Sequence, residues 1–172
     1  MSWNNDHIPE IDLEYEFDKQ SFANIAATLD KNGFGDVGAL LRNMTANADV
    51  RAEKAVNSEA NNVVQEVTNL IKERQYHSKS GYGPGSPGFQ RKVNNQHLVD
   101  TVKDHHDGNR HRIYANATNG GYNYSQAFEF GLLSRKYPAH HPFEDTVHHL
   151  GLNQLHSELD DKINDAIRKG FS

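Results

Sequence analysis

The sequence predicts an α+β fold. Three patterns carry that expectation: a half-buried strand at Ile8–Phe17, a hairpin over Val99–Ala115, and a long amphipathic helix from about Ala48 to Arg74 between them. Strict alternation of apolar residues marks a strand, and an apolar period of three to four marks a helix. Of the 172 residues only 35% are hydrophobic, and the mean hydropathy is -0.83. One domain's worth of chain with so few apolar residues can bury only a thin core.

The elements follow in order. Ile11, Leu13, Tyr15 and Phe17 fall on one side of the first strand, and Asp12, Glu14 and Glu16 on the other. An acidic outer face opposes edge-to-edge pairing with a second sheet. Asp18 is placed to cap a helix in which Phe22, Ile25, Ala26 and Leu29 share a face, and Asn32-Gly33 ends it. Asp36 starts a short second helix with Val37, Leu40, Leu41 and Met44 together. In the long helix, Val56, Ala60, Val63, Val64, Val67, Leu70 and Ile71 form one continuous stripe. About 27 residues rising 1.5 Å each make it roughly 40 Å long.

Tyr76–Gln90 is rich in Ser, Gly and Pro and reads as a long irregular loop. It has no Gly-Lys-Ser/Thr ending, and its prolines remove amides that a phosphate loop would need. Asp107-Gly108 is a hairpin turn signal. With those residues at the tip, His106 faces Asn109, Asp104 faces His111, and Val102 faces Ile113. Thr118-Asn119-Gly120-Gly121 reads as a loop. Asn123 caps a helix at Tyr124–Phe130, Gln126 takes the capping-box position, and Gly131 suits the turn after it. Pro142 is a good first residue for the closing helix, with Glu144 and Asp145 in its first turn. Its stripe runs from Phe143 through Val147, Leu150, Leu152, Leu155, Leu159 and Ile163 to Ile167, with Gly151 as a kink or division.

Composition excludes several function classes. There are no cysteines, so disulfide and thiol chemistry are ruled out. No apolar run approaches the length of a membrane span. Met1–Asp6 lacks the basic start and apolar centre of a signal peptide, so the chain is expected to be made in the cytosol. The net charge is -5, and residues 1–48 hold eight acids against three cations. From Arg74 to Lys92 the balance reverses, with Arg74, Lys79, Arg91 and Lys92 and no acid. Tyr76, Tyr82 and Phe89 interleave these cations, as aromatics do in single-strand binders. Four cations without a recognisable nucleic-acid fold make a thin case for direct binding.

Eleven histidines invite a metal reading. However, none pair at i, i+4 around a Glu as on a zinc-hydrolase helix. Surface or interface histidines are therefore the expectation, with no metal and no cofactor. No Gly-x-Ser-x-Gly elbow is present. Glu129 stands out because Phe128 and Phe130 flank it. A raised pKa and acid/base role is conceivable for such a group, but a cap, bridge or subunit contact is the reading adopted.

The order of the segments carries a resemblance. An Ala/Val-rich long helix and a Gly/Pro loop precede His97-Leu98-Val99-Asp100-Thr101-Val102 and the hairpin. Then come Tyr124-Ser125-Gln126-Ala127-Phe128-Glu129-Phe130-Gly131, His141-Pro142-Phe143 and a closing helix. Over roughly residues 48–170 this resembles the tail completion (head–tail joining, or neck) proteins of long-tailed bacteriophages. That family commonly carries a Tyr-Ala-x-x-x-Glu-Phe-Gly-Thr segment and a Pro-Phe step. Leu132 departs from the Thr, and no Gly precedes Leu98.

The resemblance implies a small antiparallel sheet packed on a long helix, with an N-terminal acidic part over residues 1–47 and a core over 48–172. It implies a non-enzymatic virion protein forming a ring, usually hexameric, at the tail terminus or at the head–tail interface between connector and tail. Its partners would be further copies of itself, the connector or head-completion protein, and the tail tube or tail terminator protein. DNA would pass through the channel without specific binding. Tyr76, Lys79, Tyr82, Phe89, Arg91 and Lys92 of the loop are expected contacts, as are Tyr124, Phe128, Glu129, Phe130, Gly131, Pro142 and Phe143. The competing expectations are a metal-dependent DNA-processing enzyme and a small DNA-binding regulatory module.

Overall fold

The computed structural model describes residues 8–76, 97–119 and 122–151. The expected loop residues Lys79, Tyr82, Phe89, Arg91 and Lys92, and the closing stripe beyond Gly151, lie outside the described residues. The architecture is α+β. Strand β1 (Glu10–Glu14) leads to α1 (Lys19–Lys31) and α2 (Gly35–Tyr76). A 3-10 turn at Leu98–Thr101 enters the hairpin β2 (Val102–Asp107) and β3 (Arg110–Ala115). Two short strands, β4 (Thr118–Asn119) and β5 (Tyr122–Asn123), precede α3 (Tyr124–Phe130). A second 3-10 turn at Leu133–Arg135 leads to α4 (Pro142–His149). None of the described helices is long and apolar enough to cross a membrane.

The chain divides into two compact units. Among the described residues, one takes in the stretches from 8 to 13 and from 59 onward, the other residues 14–58. β1, within the expected N-terminal part over residues 1–47, is a strand of the sheet. The sheet order is β1-β3-β2. The Ala115 amide donates to the Pro9 carbonyl, and Asp12 and Glu10 pair with Arg110 and Arg112 of β3. The expected acidic outer face of β1 is therefore matched by a basic outer face on β3. Exposed pairs of this kind add about 0–1 kcal/mol each, but they oppose any slip of the strand.

Two local expectations are corrected. The short helix from Asp36 and the long one from Ala48 are one helix of 42 residues. Thr45-Ala46-Asn47-Ala48 contains neither Gly nor Pro, and the Thr45 hydroxyl donates to the Leu41 carbonyl at 2.8 Å inside the helix. The break in the apolar stripe is not an end of helix. The hairpin register also differs. Val102 pairs with Ala115, Asp104 with Ile113, and Asp107 with Arg110. The two-residue tip is Gly108-Asn109, with Gly108 at φ 63°. A turn with positive φ at its first central position needs glycine there. Because the pairing shifts by two residues in total, Val102 and Ile113 stay on the same face. Of Thr118-Asn119-Gly120-Gly121, expected as a loop, Thr118–Asn119 instead forms β4, paired with β5 (Tyr122–Asn123).

The core of the first unit draws on Val63, Val67, Leu70 and Ile71 of α2, Ile11, Leu98, Ile113, Phe128 and Phe143. The expected α2 stripe is buried except at the half-buried Val64. In the second unit, Asp18 caps α1 by accepting from the Ser21 amide at 3.0 Å, and Ala26 is buried. Ile25, Val37 and Leu40, expected inside, are at least half exposed. Ile113→Ala should therefore lower unfolding free energy by about 2–5 kcal/mol. Val37→Ala should change it by less than about 0.5 kcal/mol, both read by urea unfolding.

Candidate functional site

The site grows from two helix ends. Asn123 accepts from the Ser125 and Gln126 amides at 3.0 and 3.4 Å, which starts α3. The Ser125 hydroxyl accepts from the Ala117 amide at 2.6 Å and ties the helix to the chain before it. Seven residues later Gly131 stops α3 at φ 74°, ψ 177°, a region that is essentially glycine's alone. A Cβ there would lie 2.8 Å from the Ala139 nitrogen and 2.9 Å from the Tyr137 oxygen. Leu132 and Tyr137 then pair through both backbone bonds, at 2.9 and 3.0 Å, and return the chain.

The returning backbone docks on the end of α3. The His140 amide donates to the Phe128 carbonyl at 2.9 Å, and the His141 amide to the Glu129 carbonyl at 3.2 Å. His141 takes the position before Pro142, with left-handed φ 47° and ψ 44° and no side-chain cap bond of its own. Glu129 supplies that cap. Its Oε2 accepts from the Phe143 amide and its Oε1 from the Glu144 amide, each at 3.0 Å. These amides would otherwise be unpaired at the positive end of the helix.

Glu129 is 2% exposed. Burial pushes its carboxyl above the ordinary value, while the two amide bonds and His141 pull it back and Glu144 pushes it further up. Around it, His140 stacks on Phe128 at 4.4 Å between centroids. Arg74, near the end of α2, donates to the His140 carbonyl and to Asp145 at 2.5 Å. His149 meets Glu66 at 2.9 Å, so α4 runs antiparallel to the second half of α2. Burial, then the charges of Arg74 and His141, hold His140 below the usual imidazole value.

The arrangement is a joint between helices. A carboxylate with both oxygens on amides is poorly placed to take a proton from a substrate. Of the expected contact residues, Phe128, Glu129, Gly131, Pro142 and Phe143 belong to this joint, and Tyr124 is the first residue of α3. Phe128, Glu129, Pro142 and Phe143 are buried within the unit. Phe130 is the exposed member, at 57%, and Tyr76 is the last residue of α2.

Sequence spacing missed His141 as a site residue, because its neighbours come from two elements. Among the described residues, Glu129, His141 and Glu144 bring one ligand atom each to within 4.8 Å of one another. The signal in the sequence was the i, i+3 pair His141 and Glu144, without the distant Glu129. Comparisons with protein-family models, curated proteins and solved structures find no match for this chain.

Glu129→Gln retains the shape but turns an amide donor toward a backbone donor. It should cost about 1–3 kcal/mol in urea unfolding. Gly131→Ala should cost more than Gly108→Ala, because both have positive φ but only Gly131 faces backbone atoms within 3 Å. A third expectation concerns pH. With its folded pKa depressed, His140 contributes stability that is present above the usual 6.5 and lost as pH falls toward the folded value. His140→Phe, which retains a ring on Phe128, should flatten this part of the stability curve in melts followed across that window.

Proposed function

We propose that this chain is a structural virion protein of a long-tailed bacteriophage. It would assemble into a ring, hexameric in the related pattern, that completes the tail and joins it to the head. The observation that supports this most is the Glu129–Phe143 joint. The Glu-Phe-Gly and Pro-Phe steps, which carry the family resemblance, are two halves of one structural device. Its acid is used to start a helix. The order of long helix, hairpin, short capped helix and closing helix is also the order the resemblance calls for.

The exposed apolar residues support assembly. Phe34, Val37 and Leu40 in the second unit, and Phe130 and Leu133 in the first, are each at least half exposed. Apolar side chains left in water forgo about 1.5–3 kcal/mol each relative to full burial. A neighbouring copy, the connector or the tail tube would cover them. The acid-rich N-terminal third suits a channel through which DNA slides, since like charge prevents phosphate from binding.

The test is in vitro joining. Purified chain added to separate heads and tails is expected to form rings, visible by negative-stain microscopy, and to yield joined particles. The double substitution Val37→Asp/Leu40→Asp should leave the circular dichroism spectrum unchanged and abolish joining. Normal joining by a chain lacking residues 77–91 would remove that loop from the contact surface. A wild-type chain that neither forms rings nor promotes joining would overturn the proposal.

A further inference from the structure

We propose that Glu129, His141 and Glu144 form a binding site for one divalent cation of the zinc type, clamping the end of α3 to the first turn of α4. The donor set is one imidazole and two carboxylates. Zinc accepts both ligand types, whereas magnesium and calcium favour oxygen alone. Three protein ligands leave a further position for water.

The geometry suits a shared ion. His141 Nδ1 lies 2.9 Å from Glu144 Oε2, yet it makes no aligned hydrogen bond and is shielded from solvent. Two ligands at about 2.0–2.2 Å from one zinc stand about 3–3.5 Å apart. The nitrogen and the oxygen, now 2.9 Å apart, would part by a few tenths of an ångström to share one ion. The His141 ring is otherwise 43% exposed, so the nitrogen that faces inward is the one the cluster would use. The widest ligand separation in the group reaches at most 4.8 Å. Glu144, with its side chain 59% exposed, is the exposed member of the group.

The electrostatics agree. Two carboxylates converge here, and the start of α4 contributes only about half a positive charge. The cation does not compete with the cap. Each Glu129 oxygen has two lone pairs and spends one on an amide. A bound ion would also offset the like-charge push of Glu144 on buried Glu129. The site stands independently of the ring reading, because its ligands all lie in one chain.

The full-length chain, stripped with chelator and exchanged into metal-free buffer, is titrated with zinc chloride by calorimetry. The parallel variants are His141→Asn, whose residue tolerates the left-handed backbone, and Glu144→Gln. Wild type is expected to take up one tight equivalent, and each variant to bind it at least about tenfold more weakly. Zinc should raise the wild-type melting midpoint and leave those of the variants unmoved. Glu144→Gln changes an exposed side chain and serves alone if His141→Asn fails to fold. Zinc uptake of equal affinity in wild type and Glu144→Gln would assign the metal to other histidines and overturn the site. No uptake by wild type would overturn it as well.

Discussion

The folding of the second half of this chain depends on one buried carboxylate. Glu129 is the sixth residue of α3 and serves as the cap of α4. Four consecutive links join the two helix ends: backbone bonds from His140 and His141 to Phe128 and Glu129, then side-chain bonds to Phe143 and Glu144. Burying a lone carboxylate is expensive in any protein. Two amides and the positive helix end offset that cost here, and they do so only if the chain returns at the right place. Gly131 and the Leu132–Tyr137 pair make that return possible. The charge therefore penalises alternative packings of α4, which is a form of specificity that apolar contacts alone cannot supply.

Much of this was legible locally, and what was missed shares one cause. The caps Asp18 and Asn123, the stop at Gly131 and the start at Pro142 use interactions within a few residues, so the residue types reveal them. The α2 stripe was legible because 3.6-residue periodicity does not depend on which partner fills it. The burial of Glu129 was not, since its partners lie 14 and 15 residues on. The hairpin tip was ambiguous because Asp-Gly and Gly-Asn are both good turns, and twist at the first central residue decides between them. Ile25 shows the converse limit: it holds the right helical position, but it stays 52% exposed.

Charge placement separates the two ends of the joint. On one side Arg74 binds both the His140 carbonyl and Asp145, fastening α4 to α2. On the other, Glu129, His141 and Glu144 bring two carboxylates and one imidazole together. A single chain thus meets α4 with a cation on one flank and with concentrated negative charge on the other. The first flank is already neutralised by an ion pair. The second is where an added cation gains most, because two carboxylates share it and one is buried.

The exposure pattern of α3 bears on how such a chain would meet another. Successive helical residues turn by 100°, so Phe128 and Glu129 can face the core while Phe130 faces out. A soluble helix usually places a polar residue there. Here the outward residue is aromatic, and Leu133, just past the turn, is 100% exposed. Phe130 directly precedes the Gly131 turn, and Leu133 lies inside the Leu132–Tyr137 pair. An apolar contact held by a rigid joint loses little conformational freedom on binding. On the proposed ring reading, Glu129 then acts at one remove: it touches no partner, but it fixes the backbone from which Phe130 and Leu133 project.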